Sequence, residues 1–156
     1  MSESKAAAFI APNGGVTHSI QGMTIHVMIT GLQSGGEFVA MEVAEPPGSA
    51  SPTTWHKRTT SLFYVISGVL SVTADGGTTE VGAGGCAYLP PATVYAIANK
   101  SDRPVRYLLV SSPAGIENYI AESVAIFNSE PSLPPEALSK LSALQTKYDF
   151  FEPPVG

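Results

Sequence analysis

The stretch Leu62-Phe-Tyr-Val-Ile-Ser-Gly68-Val-Leu-Ser-Val-Thr-Ala-Asp75-Gly-Gly77-Thr-Thr-Glu-Val81 decides the fold class. β-branched and aromatic residues fill Leu62 to Ile66, Val69 to Ala74 and Thr78 to Val81, and such residues suit a pleated, half-buried surface. Ser67-Gly68 and Asp75-Gly-Gly77 separate the runs. Gly and Asp accept the positive φ that tight hairpin turns require. The same reading extends outward. Upstream, Thr24 to Thr30 and Phe38 to Val43 are β-rich runs joined by Gly31-Leu-Gln-Ser-Gly-Gly36, a hairpin-like connection. Downstream, Cys86 to Leu89, Tyr95 to Ala98 and Val105 to Val110 continue the series. Short strands at this spacing point to a sandwich or barrel over residues 16–112.

Composition agrees. The chain has 156 residues, the size of one domain. Hydrophobic residues make up 44% and charged residues 13%, the latter about half the usual ~25%. With 15 Gly and 13 Pro, a coiled coil or a charge-driven disordered chain is excluded in favour of a turn-rich β domain. A net charge of −5 with 8 Lys plus Arg lacks the basic footprint of a nucleic-acid binder. The single cysteine, Cys86, permits no internal disulfide; without an activating cation nearby in sequence it reads as a buried small apolar residue. No apolar run spans a bilayer, and the first residues lack the apolar region of a signal peptide. The expectation is a cytoplasmic protein that binds neither membrane nor nucleic acid.

The last third changes period. Ile116, Tyr119, Ile120, Val124 and Phe127 recur at three- and four-residue spacing, an amphipathic helix over Ala114 to Phe127. A second helix is expected from near Ser132, with Pro134 or Pro135 in its first turn and Leu138, Leu141 and Leu144 on one stripe. The expected organisation is an N-terminal segment 1–15, a β-barrel 16–112 and a helical extension 113–156 whose helices pack outside the barrel.

Two segments carry a family resemblance. Gly48-Ser-Ala-Ser-Pro-Thr-Thr-Trp-His-Lys-Arg-Thr-Thr-Ser-Leu-Phe-Tyr-Val-Ile-Ser-Gly68 resembles the first cupin motif, G-x5-H-x-H-x4-E-x6-G. Gly84-Gly-Cys-Ala-Tyr-Leu-Pro-Pro-Ala-Thr-Val-Tyr-Ala-Ile-Ala-Asn99 resembles the second, G-x5-P-x-G-x2-H-x3-N. Fifteen residues separate them, the short gap of small cupins. The resemblance is clear over residues 36–112, with weaker similarity to small quercetinase-like cupins on both flanks. It implies an all-β, jelly-roll barrel with a ligand in its open interior, and a homodimer to which Trp55 or an N-terminal strand could contribute.

The departures matter more than the matches. Gly48, His56, Gly68, Gly84, Pro90 and Asn99 fit the motifs; Thr54, Ser61, Ala92 and Tyr95 do not. The resemblance puts metal ligands at 54, 56, 61 and 95, and of these only His56 is retained. A divalent transition metal needs three or four converging His, Cys, Asp or Glu donors. One imidazole with two hydroxyls and a phenol is a poor set, so no metal and no cofactor is expected. A site rebuilt from His26, Glu42 and His56 is the alternative, without support from spacing.

The barrel geometry implied by the resemblance still turns Thr54, His56, Ser61 and Tyr95 into one cavity. Strand parity adds Phe63 and Val65 beside Ser61, and Ile97 beside Tyr95. His56 is a candidate acid or base, its alternative being a histidine satisfied by a hydroxyl or water. Tyr95 is a candidate donor to a carbonyl, or else an aromatic plug. Glu42, the sole acid in Phe38 to Ala44, is a candidate acid or base if buried and an edge carboxylate if not. The reading assigns His56, Tyr95 and Glu42 to catalysis and Thr54, Ser61, Phe63, Val65, Ile97 and His26 to substrate binding. Lys57-Arg58 reads as a solvated turn. The resemblance implies a metal-independent enzyme of the polyketide-cyclase kind, promoting cyclisation or isomerisation of a small apolar substrate. The alternatives are a metal-dependent quercetinase-like dioxygenase and a non-catalytic binding module.

Overall fold

Alternating apolar and polar residues build this protein as paired strands, because a period of two puts every second side chain on one face. The computed structural model describes residues 6–129 and 135–150. Its described elements, in order, are β1 (Val16–Ile20), β2 (Met23–Ile29), α1 (Gly31–Ser34), β3 (Val39–Glu45), β4 (Thr60–Ser67), β5 (Val69–Ala74), β6 (Gly77–Gly82), β7 (Cys86–Leu89), β8 (Tyr95–Ala98), β9 (Val105–Ser112), α2 (Ile116–Ser129) and α3 (Pro135–Lys147). All strand pairs are antiparallel. They form a six-stranded sheet in the order β1-β2-β3-β9-β4-β7 and a three-stranded sheet in the order β6-β5-β8. Bridges Ala50↔Ala98 and Thr54↔Tyr95 lay the 50–54 segment along β8. This is the expected jelly roll.

The inner faces supply the core. Val39, Met41 and Val43 of β3, Phe63 and Val65 of β4, and Val105, Tyr107 and Leu109 of β9 are buried in one apolar cluster with Tyr95 and Ile97 of β8. Each such aliphatic or aromatic side chain contributes roughly 1.5–3 kcal/mol on full burial. The Gly31–Gly36 connection departs from the expected hairpin. Thr30 caps a single helical turn there, its hydroxyl accepting from the Gln33 N–H while the Gln33 side chain accepts from the Thr30 N–H.

Two turn positions show what the backbone demands. Gly68 has φ 80°, and a Cβ there would lie 2.6 Å from the Pro104 carbonyl oxygen, so only glycine fits. Ala92, where the resemblance expects glycine, keeps the left-handed conformation at φ 66°. That costs an alanine about 1–2 kcal/mol.

The two C-terminal helices lie outside the barrel, as expected, with α2 against β1 and α3. Ile120 and Leu141 are buried, and Ile116, Tyr119 and Val124 pack partly against the core. Ser132, Pro134 and the side chains of Phe127 and Leu138 lie outside the described residues. No described helix is long and apolar enough to cross a membrane. Cys86 corrects the sequence reading. It is exposed, on the outer face of β7 beside its partner residue Tyr64.

Candidate functional site

The barrel interior is not completely filled. A cavity of about 420 Å³ is walled by apolar residues of both sheets, among them Met41, Phe63, Ile97 and Leu109. Ile116, Tyr119 and Ile120 of α2, with Gln145 and Phe150 at the end of α3, wall it from the helical side. The helices therefore complete the pocket as well as covering the barrel. A concave, mostly apolar cavity with few polar groups is the usual form of a small-molecule site.

One polar group on the wall is Tyr95, buried, at the start of β8. Its hydroxyl lies 2.9 Å from His56 Nε2. His56 is buried behind it and does not itself line the cavity. Its Nδ1 lies 2.7 Å from the backbone carbonyl oxygen of Asp149. A carbonyl only accepts, so Nδ1 carries the proton. Burial holds the imidazole pKa below its usual value, against the opposing pull of the Asp149 carbonyl and charge, so the ring is neutral and Nε2 is an acceptor. Tyr95 O–H therefore donates to His56. Burial pushes the Tyr95 phenol up to about 12, which keeps that proton in place at neutral pH.

Asp149 holds this arrangement together from 90 residues away in sequence. It sits just past α3 with φ 68°. Its carboxylate accepts from the backbone N–H groups of Lys57, Arg58 and Thr59 at 2.9–3.0 Å and from the Thr59 hydroxyl at 2.9 Å. Burial alone would raise its pKa, but these donors outweigh it and hold the carboxyl below its usual value. The next residue, Phe150, packs edge-on to His56 with ring centroids 4.5 Å apart and lies 4.3 Å from the Tyr119 ring. The Lys57-Arg58 turn is thus a docking point for the C-terminal segment rather than a solvated loop alone.

A second polar group lies at the C-terminal end of β3. Glu45 is 4% exposed, yet it lines the cavity. The Tyr107 hydroxyl donates to Oε1 at 2.8 Å and the Ser49 hydroxyl to Oε2 at 2.9 Å. Burial and then the Glu45 charge push the Tyr107 phenol well above its usual pKa, so it remains a donor. Asn99 secures this end, donating to the backbone oxygens of Glu45 and Arg103. Sequence reading passed over Glu45, although Val39, Met41 and Val43 share its strand parity and could have found it.

The structure brings together some of the expected residues and separates others. Thr54, Phe63, Tyr95 and Ile97 line the cavity. Ser61 and Val65 are buried in the barrel without lining it, and the Ser61 hydroxyl pairs with that of Ser111 at 3.0 Å. Glu42 and His26 are corrections. They are register partners on the outer face of the large sheet, one residue out of phase with the buried positions. Glu42 pairs there with Arg106, and His26 Nδ1 lies 2.8 Å from the Thr17 hydroxyl. Neither reaches the cavity, so a site rebuilt from His26, Glu42 and His56 does not converge.

The positions that the cupin motifs assign to a metal do not fit one. His56 has both nitrogens engaged, Ser61 is bonded to Ser111, and the Tyr95 hydroxyl is committed to His56. Among the described residues no group of three His, Cys, Asp or Glu side chains is placed to hold an ion.

Residues 41–111 match the family model described as Cupin domain. None of the curated proteins compared with the chain matches it. Among solved structures it is similar to KdgF from Halomonas sp., at 16% identity and TM-score 0.62 over 69% of this chain and 94% of that one. It is similar to the polyketide cyclase RemF from Streptomyces resistomycificus, at 18% identity and TM-score 0.61 over 69% of this chain and 80% of that one. A cupin-superfamily sugar phosphate isomerase from Silicibacter pomeroyi matches at 23% identity and TM-score 0.53, over 60% of this chain and 61% of that one. At such identities the likenesses speak to fold. Residues 41–111 are thus matched as a Cupin domain, and the fold around them is the one these cupin structures share.

Proposed function

We propose that this protein is a metal-independent cytoplasmic cupin enzyme that acts on a small, largely apolar, polyketide-like substrate and promotes its cyclisation or isomerisation. The observation that carries the proposal is the apolar cavity whose wall presents Tyr95, held in place by a neutral His56. Confinement by Phe63, Ile97 and Leu109 selects a folded substrate conformer and replaces the entropy cost of folding it in water. Tyr95 touches the substrate. His56, with both nitrogens engaged, is a positioning residue that acts through Tyr95. Rearrangement of this kind needs no redox equivalent, which suits a donor set unfit for a transition metal. The reaction class is carried over from the fold likeness to RemF.

The test is incubation with a linear poly-β-ketone substrate, products being followed by mass spectrometry. The expected product has the substrate's mass, or that mass less water, and forms faster than without protein. Tyr95→Phe and His56→Ala should lower kcat/KM by about 10–100-fold, with the larger part of the loss in kcat. Elemental analysis of protein never exposed to chelator should find well under one transition-metal ion per chain. A stoichiometric metal would overturn metal independence. Equal rates with and without protein would favour the second reading, a binding module, which the full engagement of both His56 nitrogens supports. A homodimer through the outer face of β4 and β7, where Leu62, Tyr64, Ile66 and Tyr88 are exposed, completes the proposal. Light scattering at twice the chain mass is the expected result.

A further inference from the structure

On the barrel side of the cavity wall Tyr95, Tyr107 and Glu45 share one property, while on the helical side the Gln145 amide is spent on the Tyr119 hydroxyl. Tyr95 spends its only proton on His56 Nε2, so toward the cavity its oxygen can only accept. Tyr107 spends its proton on Glu45 Oε1, and Glu45 is itself an acceptor. The Ser51 hydroxyl accepts from the Ile97 backbone N–H at 3.0 Å. Among the described residues no Lys, Arg or His side chain lines the cavity. An anionic ligand would therefore meet a buried carboxylate with no cation to offset it, a strongly unfavourable placement.

The two acceptors come from opposite sheets, Glu45 from β3 and Tyr95 from β8. Glu45 bonds the Ser49 hydroxyl, and Ser49 lies beside Asn99, whose N–H donates to the Ser49 carbonyl at 2.9 Å. Asn99 follows Tyr95 by four residues along β8 and its continuation, roughly 13 Å of extended backbone. The Phe63 ring packs against both phenol rings, 6.2 Å from that of Tyr95 and 5.4 Å from that of Tyr107. The apolar lining thus carries an acceptor from each sheet.

From this geometry we infer that the ligand is an uncharged, largely apolar molecule with two hydroxyl donors, one read by Glu45 and the other by Tyr95. The inference rests on the proposal that this cavity is the ligand site, and it names the chemistry of the ligand. A phenol or enol hydroxyl meets the requirement. A carbonyl, ether or carboxylate at the same place leaves Glu45 facing another acceptor.

Calorimetric titration of the full chain with three naphthalene probes tests it: the 2,6-diol, its dimethyl ether and the 2,6-dicarboxylate. The diol should bind at least about tenfold more tightly than either of the others, the factor expected of a hydrogen bond to a charged group. Glu45→Gln should weaken the diol by about tenfold and leave the ether unchanged. If that variant does not fold, Tyr95→Phe asks the same question at the other acceptor. An ether or dicarboxylate that binds as tightly as the diol overturns the donor inference while leaving the cavity as a ligand site. Failure of all three to bind the wild-type chain overturns the ligand-site reading, and the donor inference with it.

Discussion

Glu42 and Glu45 are three residues apart on one strand and occupy opposite worlds. Glu42 faces water on the outer side of the large sheet and pairs with the half-exposed Arg106. Glu45 is inside the barrel, with the hydroxyls of Tyr107 and Ser49 on its two oxygens. The odd spacing puts them on different faces, and the partner types follow from the surroundings. In water a cation is a cheap partner whose attraction is screened. Inside, two neutral donors satisfy the carboxylate without a second buried charge to desolvate. Sequence position on the strand therefore says less about a carboxylate's role than the side of the sheet it faces.

That contrast is open to direct attack. Glu45→Ala should cost about 2–3 kcal/mol in urea denaturation, since it strands two hydroxyls, one of them the buried Tyr107 group. Asp149 is a third carboxylate, satisfied by backbone donors, and Asp149→Asn should cost about 2 kcal/mol at neutral pH. Its folded-state pKa is depressed, so the native state binds fewer protons than the unfolded state as pH falls. The difference between wild type and Asp149→Asn should be constant above about pH 5 and shrink as pH drops below ~4, the unfolded carboxyl range. A difference that grows on acidification would contradict the carboxylate's bonding. Ser61→Ala removes one member of a neutral buried pair and should cost about 1 kcal/mol. Glu42→Ala should fall below ~1 kcal/mol and weaken further in salt. Equal losses at Glu42 and Glu45 would break the distinction between the two faces.

His56 extends the acid prediction upward. Its depressed folded-state pKa favours the neutral ring, so its contribution is full above the unfolded value near 6.5 and declines as pH falls through the folded value. Wild-type stability should begin to fall below about pH 6.5, before the carboxylates titrate. His56→Gln should flatten that upper part of the profile while leaving the part below pH ~4.

Much of the barrel was legible because strand parity and turn chemistry are local. Val69–Ala74, Cys86–Leu89 and Tyr95–Ala98 have the bounds that the runs of β-branched and aromatic residues imply. The same parity put Phe63, Tyr95 and Ile97 on the inner face. It did not say which face of β2 and β3 was inner, so His26 and Glu42 were candidates for the pocket and lie outside it. Ser61 was expected at the pocket, but Ser111, on a strand paired late in the chain, takes its hydroxyl. Nothing local in Tyr148-Asp149-Phe150 marks Asp149 as the partner of a turn 90 residues earlier.

The sequence by itself determined a β sandwich or barrel and its turns, because these depend on residue type and short spacing, and its cupin resemblance implied the jelly roll and the replacement of acidic and imidazole donors by Thr54, Ser61 and Tyr95. Only the tertiary structure decided which carboxylate faces the cavity, which way the Tyr95 proton points, and that a segment after α3 closes the site. Those features are set by groups brought together from distant parts of the chain. A hydrogen bond's direction depends on its partner, and the partner is known only once the chain is folded.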